Sequence, residues 1–213
     1  RLLTVLFLLS LAATALMAMM RPISVSPYFL YALMPFMVLA AAAIIGPYEA
    51  RLNATFFKSA KKKLRAQPGL ITIGITGSYG KTNVKFILRD ILSKKYKVLA
   101  TPASFNTAMG ISRVVNDQLK PEHQVFIAEM GATHVGDIKE LVGLVRPKYG
   151  IITSIGPRHM DSFGSIENIA STKFELVQGL PRDGLAVFGW GDDYINRLYA
   201  LCKHDKCRIG MDD

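Results

Sequence analysis

The segment Gly74-Ile75-Thr76-Gly77-Ser78-Tyr79-Gly80-Lys81-Thr82 decides the fold of this 213-residue chain. It stands between a β-branched run, which predicts a strand, and a stretch with helical periodicity. Glycines let a backbone approach a polyphosphate, and the N–H groups of such a loop and of the following helix cradle phosphate oxygens. The Lys81 amine would neutralise the outer phosphates and the Thr82 hydroxyl would reach Mg²⁺. A glycine turn with a chance Lys-Thr pair is the alternative, but the strand–loop–helix context favours a phosphate-binding loop, made of Thr76, Gly77, Ser78, Tyr79, Gly80, Lys81 and Thr82.

Short β-branched runs alternate with helical periods from Leu70 onward, which predicts an α/β fold. The strand candidates are Leu70–Ile75, Tyr96–Ala100, Gln124–Glu129, Tyr149–Ile155 and Leu185–Phe188. The helix candidates are Lys81–Ser93, Thr107–Asp117, Val135–Leu144, Ile166–Gly179 and Tyr194–Lys203. Apolar strands with helices between them indicate a doubly wound parallel sheet. In such sheets ligands bind at the carboxyl ends of the strands, so the positions just after each strand are the candidate site.

Charge is distributed unevenly along the chain. There are 26 Lys and Arg against 16 Asp and Glu, a formal charge of +10, and half of the residues are hydrophobic. This composition excludes a disordered chain, a collagen-like chain and a disulfide-rich miniprotein. Residues 1–68 contain eight basic side chains and one acidic side chain, Glu49, whereas the remainder is nearly balanced. Since the chain begins at Arg1 rather than Met, we expect it to be a fragment of a longer protein.

Two apolar runs precede the α/β pattern. Leu2–Met20 has no formal charge, and a second run extends from Tyr28 to about Ile45 with Pro35 inside it. About 20 apolar residues span the hydrocarbon core of a bilayer. A buried hairpin would need an apolar shell that the rest of the chain is too short to supply, and a signal peptide would explain only the first run. Residues 1–48 are therefore predicted to form a hairpin of two transmembrane helices.

A basic segment, residues 49–68, follows the apolar runs and is predicted to be an amphipathic linker. Its cations place the downstream domain in the cytoplasm by the positive-inside rule. Apolar side chains lie among these cations, so the helix is expected to rest on an anionic lipid surface. A nucleic-acid patch is the competing interpretation, but the apolar runs directly upstream favour lipid, and no nucleic-acid partner is expected. The apolar side chains are Leu52, Phe56, Phe57 and Leu64.

The loop spelling Thr-Gly-x-x-Gly-Lys-Thr resembles the central ATPase domain of the Mur ligases, the ATP-dependent amide-forming enzymes of peptidoglycan precursor synthesis. Later strand ends match as well, at Ala128-Glu129-Met130-Gly131-Ala132 and at Thr153–Asp161. The resemblance covers residues 69–213 and implies a truncated ATP-binding central domain with a phosphate loop.

The resemblance also implies a site for two Mg²⁺ ions. Thr82 and Glu129 would hold the first ion, and His159 and Lys173 the second. In the family this lysine carries CO₂ as a carbamate, which turns a cation into a carboxylate-like ligand and needs a depressed lysine pKa. Taken alone, His159 would be a hydrogen-bonded structural histidine and Lys173 an ordinary surface lysine. Their assignment therefore rests on the resemblance.

The segments Thr101–Gly110 and Ser162–Ser165 are most similar to the MurF branch of the family. The resemblance then implies that the acceptor or the transferred phosphate faces Ser104, Asn106 and Thr107, although the last two are also typical helix caps. The chain departs from the family at Tyr79, where an Asn is usual, and at Asn83, where a Thr or Ser is usual. The turn Phe188–Asp193 lacks the family's Asn, and we assign it no role.

The implied activity is an ATP-dependent ligase of MurF type that works through an acyl phosphate, with Lys81, Lys173 and His159 as catalytic residues. The implied partners are ATP, a UDP-muramyl peptide or similar carboxylate, a dipeptide amine and membrane lipid. The implied location is the bacterial cytoplasmic membrane, with the catalytic domain in the cytoplasm. Two alternatives stay open: a related ligase acting on folate or a lipid-linked precursor, and a non-catalytic, membrane-anchored nucleotide-binding scaffold.

Overall fold

A computed structural model describes residues 2–19, 27–103 and 105–209. They form two compact units, and the second unit begins at Phe56. The first unit contains helix α1 (Leu2–Met19) and most of helix α2 (Pro27–Arg65). The predicted link between the two apolar runs lies largely outside the described residues.

Helix α2 carries apolar side chains on its surface. Phe36, Leu39 and Ile44 are 69%, 66% and 74% exposed. By length and composition, one helix in the described part of the chain, Leu33–Arg65, could cross a membrane. The prediction of two transmembrane helices is therefore not supported.

Helix α2 is also longer than the sequence pattern indicated. It continues through both Pro35 and Pro47 to Arg65, so the second apolar run and the basic segment form one helix. A proline inside a helix removes one backbone hydrogen bond but already has a helical φ. Neither proline ends α2, although a proline in a helix interior commonly kinks or breaks the helix.

The second unit is a six-stranded parallel sheet with helices between the strands. Its strands are β1 (Ile71–Thr76), β2 (Val98–Ala100), β3 (Val125–Glu129), β4 (Tyr149–Ile152), β5 (Leu185–Gly189) and β6 (Asp205–Ile209). Its helices are α3 (Lys81–Leu92), α4 (Ala108–Gln118), α5 (Asp137–Val145), α6 (Met160–Phe163), α7 (Ile166–Gln178) and α8 (Asp193–Leu201). The doubly wound α/β prediction is confirmed, and β6 and α6 are additions to it.

The strand order places the predicted site at the centre of the sheet. The order is β2-β3-β1-β4-β5-β6, and every neighbouring pair is parallel. In this register Ile75 of β1 lies opposite Glu129 of β3, and Thr76 lies opposite Ile152 of β4. The carboxyl ends of these three central strands therefore meet where the glycine loop begins.

Apolar side chains on both faces of the sheet hold this arrangement. Strand β3 is buried along its whole length, as expected for a central strand of a parallel sheet. One face packs against α4 and α5, through residues such as Ile111, Val115 and Leu141. On the other face, Ile73 and Ile75 form a cluster against which Leu88 of α3 packs. The sheet is therefore a rigid base for the loops at its carboxyl end.

The end of α2 packs on this domain, contrary to the prediction that its apolar side chains face lipid. Ala60 and Leu64 are 0% and 8% exposed and belong to the core cluster, and Phe57 packs against it. The Asn116 amide donates to the Phe56 carbonyl at 3.0 Å, and Lys63 Nζ donates to the Asn116 carbonyl at 2.9 Å. Ala60 and Leu64 are therefore buried and Phe57 is half-buried because a protein core is available to cover them, whereas Phe56 stays exposed.

Candidate active site

The loop between β1 and α3 needs glycine at two positions. Gly77 has φ +145° and Gly80 has φ +81°, both in the region that glycine adopts without a steric penalty. A Cβ on Gly77 would also lie 2.0 Å from Thr153 Oγ1 and 3.0 Å from the Ser154 amide nitrogen. The loop therefore packs closely against the segment that follows β4, and its turn leads directly into the first turn of α3.

Two hydroxyls of the loop are used by the fold itself. Thr76 Oγ1 donates to the Met130 carbonyl at 3.0 Å. Ser78 Oγ accepts from the Gly156 amide at 2.9 Å and donates to the Gly156 carbonyl at 3.0 Å. Both residues are buried, with exposed fractions of 0% and 1%. The hydroxyls of these two predicted nucleotide-binding residues are therefore not free to contact a ligand, and the Ser78 amide likewise donates to the Ser154 carbonyl at 2.8 Å.

Lys81 lies at the start of α3 with its amine above the loop. Its Nζ donates to the Gly77 carbonyl at 2.7 Å. Burial lowers the pKa of Lys81, Glu129 raises it and Arg158 lowers it, with a net decrease. The amine thus lies where the outer phosphates of a nucleotide in this loop would be.

Glu129, at the end of β3, is buried and has polar partners on both carboxylate oxygens. Thr82 Oγ1 donates to Oε2 at 3.0 Å, and Lys85 Nζ donates to the same oxygen at 2.7 Å. The Asn106 amide donates to Oε1 at 3.3 Å. The structure therefore brings Thr82 and Glu129 into direct contact, as the magnesium prediction requires, together with Asn106.

These side chains fit a magnesium ion in their donor chemistry. Hydroxyl, carboxylate and amide oxygens are the hard ligands that Mg²⁺ prefers, and the ion usually keeps water and phosphate oxygens as its other ligands. In the part of the chain that the structure describes, no group of three or more His, Cys, Asp or Glu side chains could hold a metal ion. The protein would therefore supply only part of the coordination shell, as is usual for Mg²⁺ bound with a nucleotide.

The remaining predicted residues line one cleft beside the loop. The cleft has a volume of ≈ 530 Å³. It contains Lys81, His159 and Lys173, together with Gly77, Asn106, Thr107 and Arg158. Ser104 lies outside the described residues. The cleft thus brings together residues from the ends of three strands and from α7.

His159 and Lys173 enter this cleft in different ways. His159 has φ +58°, a left-handed conformation uncommon for a non-glycine residue, and its exposed side chain precedes α6. Lys173 is 5% exposed on α7. Burial, followed by the nearby charges of Lys81 and Arg158, lowers the pKa of Lys173 to about 8. This lysine is therefore not the ordinary surface lysine that its residue type alone would indicate.

Comparison with known proteins gives the family. Residues 75–211 match the model of the Mur ligase middle domain. The chain belongs to the Mur ligase family. Its central sheet and glycine loop are therefore those of a Mur ligase middle domain.

The most similar relatives carry the MurF name. The UDP-N-acetylmuramoyl-tripeptide–D-alanyl-D-alanine ligase of Mycobacterium tuberculosis (strain ATCC 25618 / H37Rv) is 35% identical over 145 residues, 68% of this chain and 28% of the relative. The ligase of the same name from Bacillus subtilis (strain 168) is 35% identical over 133 residues, 62% of this chain and 29% of the relative. The crystal structure of MurF ligase from Thermotoga maritima in complex with ADP superposes with a TM-score of 0.70 at 28% identity, over 76% of this chain and 37% of that one. This Mur ligase chain thus spans less than a third of the curated relatives' length.

Two side chains of this Mur ligase domain were missed by the sequence interpretation. Lys85 is 0% exposed and bridges Glu129 to the Ala103 carbonyl, with both contacts at 2.7 Å. Arg158 lines the cleft and donates from Nη1 to the Ser78 carbonyl at 3.2 Å. The signal for Lys85 was its spacing of four from Lys81, which puts both on one side of α3. The signal for Arg158 was its position next to His159.

Thr107 and the turn around Asp192, both noted in the sequence, cap helices in the structure. Thr107 caps α4, since its Oγ1 accepts from the Gly110 amide at 3.2 Å, and it also lines the cleft. Asp192, in the turn without an assigned role, caps α8 by accepting from Tyr194 and Ile195. It also accepts from the Ile155 amide at 2.7 Å, so this turn supports the segment that carries Arg158 and His159.

Proposed function

We propose that this chain is the nucleotide-binding part of an ATP-dependent carboxylate–amine ligase of MurF type in peptidoglycan precursor synthesis. Its substrates would be a UDP-muramoyl tripeptide, D-alanyl-D-alanine and ATP. The observation that carries the proposal is one cleft that collects Lys81, His159 and Lys173, together with the contact of Thr82, the residue after Lys81, with Glu129. The sequence similarity to MurF-named ligases supports the choice of substrates.

The proposed reaction has two steps. A carboxylate oxygen of the tripeptide forms a bond to the γ-phosphorus while the bond to ADP breaks, which gives an acyl phosphate. The dipeptide amine then forms a bond to the acyl carbon, loses a proton, and inorganic phosphate leaves. Phosphoryl transfer depends on positioning and on stabilising charge, so the protein's task is to hold the reacting groups in place.

Each predicted residue would have one part in this task. The Lys81 amine and the main-chain N–H groups of the loop would hold the β- and γ-phosphates. Thr82 and Glu129 would hold one Mg²⁺, and His159 with carbamylated Lys173 would hold a second. When bound, the metal ions supply positive charge to the transferring phosphoryl group. Ser104, Asn106 and Thr107 would face the acceptor or the phosphate being transferred.

The surroundings of Lys173 support a carbamate. A carbamate forms from the neutral amine, and a pKa of about 8 leaves roughly one amine in ten neutral at pH 7. An ordinary lysine is neutral in fewer than about one molecule in a thousand at that pH. Lys173 also lies beside two cations, Lys81 and Arg158, and a negatively charged carbamate would relieve their repulsion.

We further propose that helix α2 anchors the enzyme to the bacterial cytoplasmic membrane, with the ligase domain in the cytoplasm. The exposed apolar side chains of α2 support this anchor, as does the cluster of cations that follows them. The part of α2 before Phe56 would contact the lipid, since the later part of the helix packs on the ligase domain.

The ligase proposal is tested by a substrate panel on the full-length protein. ADP release and the amide product are measured with UDP-muramoyl tripeptide, other muramyl peptides, a folate acceptor and a lipid-linked acceptor, each with D-alanyl-D-alanine or an amino acid. We expect one ADP per amide bond, and the highest kcat/KM with the tripeptide and D-alanyl-D-alanine. ATP turnover with only the folate or lipid-linked acceptor would overturn the MurF assignment, and nucleotide binding without an amide product would favour a scaffold.

The anchor is tested by fractionation of cells that express the full-length protein or a variant lacking residues 1–48. We expect the full-length protein to sediment with membranes and to stay there after an alkaline wash, and the shortened variant to lose this association. Recovery of the full-length protein in the supernatant would refute the anchor.

A further inference from the structure

Arg158 is a cation of the cleft to which the proposed mechanism gives no part. It lies in the segment between β4 and α6, and it lines the cleft with Lys81, His159 and Lys173. Its Nη1 donates to the Ser78 carbonyl at 3.2 Å, which fixes the guanidinium against the phosphate loop. A guanidinium has five N–H donors, so four stay available to a ligand.

The charge balance of the cleft favours an anion at Arg158. The Lys81 amine and the Arg158 guanidinium both approach the Ser78 carbonyl, at 3.5 Å and 3.2 Å, so two cations lie close together at the loop. Of the nearby carboxylates, Glu129 is paired with Lys85 at 2.7 Å. Asp137 and Glu140 also line the cleft, and Asp137 accepts from the Thr133 and His134 amides. With Lys173 carbamylated as proposed, Lys81 and Arg158 are the two cations at the loop, and a polyphosphate would supply negative charge to both.

The Tyr79 ring lies near the guanidinium, and Gly156 makes room for that ring. The Arg158 Cζ atom lies 6.0 Å from the centroid of the Tyr79 ring, within the range of a cation–π contact. A Cβ on Gly156 would lie 2.7 Å from Tyr79 Cε2, so the ring packs directly on that glycine. Tyr79, which stands where the family's loop usually has an Asn, therefore supports the Arg158 side chain.

We propose that Arg158 is a catalytic residue that contacts the phosphoryl group while it passes from the nucleotide to the acceptor carboxylate. The inference rests on the proposed ligase function. In that step the carboxylate oxygen bonds to the γ-phosphorus, the bond to the bridging oxygen of ADP breaks, and Arg158 neither gains nor loses a proton. A planar guanidinium fits two phosphoryl oxygens at once, and its charge is most useful where negative charge is redistributed in the transition state.

The test compares Arg158→Ala and Arg158→Lys with wild type in the full-length protein. We expect Arg158→Ala to lower kcat about 100-fold, with acceptor KM and ADP affinity within about 2-fold of wild type. Affinity for ADP with aluminium fluoride and Mg²⁺, which mimics the phosphoryl group in transit, should fall by a factor similar to that for kcat. For Arg158→Lys, both kcat and the affinity for ADP–aluminium fluoride should lie between the values of wild type and Arg158→Ala. A lysine keeps the positive charge but loses the planar, two-pronged donor geometry of the guanidinium.

Arg182→Ala is the matched control, since Arg182 is exposed and is not among the residues that line the cleft. It should leave every readout unchanged. A wild-type kcat in Arg158→Ala would overturn the proposal, as would a variant in which only the acceptor KM changes. An equal decrease in the affinities for ADP and for ADP–aluminium fluoride would overturn it as well. The aluminium fluoride measurement needs no acceptor. It therefore decides the role of Arg158 even if wild type forms no amide, an outcome that would refute only the ligase proposal.

Discussion

Replacing Lys81 by alanine in the full-length protein is expected to lower the rate of ATP-dependent ligation by roughly 10³-fold, at the upper end of the cost of losing one preorganised charge in an active site. Lys81 Nζ lies above the loop and bonds to the Gly77 carbonyl at 2.7 Å. Without this amine, one cation fewer would stabilise the negative charge of the outer phosphates in the transition state of phosphoryl transfer. The measurement is the steady-state rate of ADP release with saturating acceptor and amine.

The control for this variant is Lys94→Ala, which removes an exposed lysine just after the same helix. It should keep the wild-type rate. Thermal melting of both variants should resemble that of wild type, because the Lys81 amine bonds to the Gly77 and Ser78 carbonyls of its own loop. Wild-type turnover by Lys81→Ala would refute the assignment of this loop as the phosphate site.

Replacing Lys173 by alanine is expected to reduce ligation at least about 100-fold, since the second metal site would lose its negatively charged ligand. If the lysine acts as a carbamate, a small carboxylate such as acetate or propionate should occupy the space left by the side chain. The added carboxylate should then restore part of the activity in a saturable manner. The measurement is the ligation rate of Lys173→Ala as a function of carboxylate concentration.

Lys203→Ala serves as the control, since Lys203 is exposed after α8. Its activity should not respond to added carboxylate. Unchanged activity in Lys173→Ala would exclude a metal-binding role for this lysine. A full loss that no carboxylate rescues, in a variant that melts like wild type, would contradict the carbamate.

The central strands and the glycine loop could be predicted because their signals are local. Strands buried on both faces appear as apolar runs, and β1 and β3 have that pattern. The edge strand β6 was missed because Asp205–Ile209 alternates exposed and half-buried positions and includes charged residues. Its pairing with β5 is set by the neighbouring strand and not by its own composition.

The environment of the end of α2 could not be read from its sequence. Phe57 and Leu64 among lysines fit a lipid surface and a protein core equally well, since both cover an apolar stripe. The structure decides for the core because Leu64 is 8% exposed in the same cluster as Ile111 and Leu141. Such a choice depends on contacts between residues that are far apart in the chain.

Residues of the candidate site were singled out from the sequence where a residue type has few uses, and were missed where it has many. A carboxylate at the end of β3 indicated Glu129 directly. Lys85 resembles any helical lysine until its burial and its 2.7 Å contact with Glu129 are known. Thr76 and Ser78 were assigned to the nucleotide by their place in the loop, but the fold uses their hydroxyls.

The most direct test of the account is calorimetric titration of the full-length protein and its Lys81→Ala variant with a non-hydrolysable ATP analogue, with and without Mg²⁺. The account predicts that wild type binds one nucleotide per chain, that Mg²⁺ strengthens this binding, and that Lys81→Ala loses most of the affinity. Absence of binding by wild type, or binding that is equal in the variant and indifferent to Mg²⁺, would contradict it.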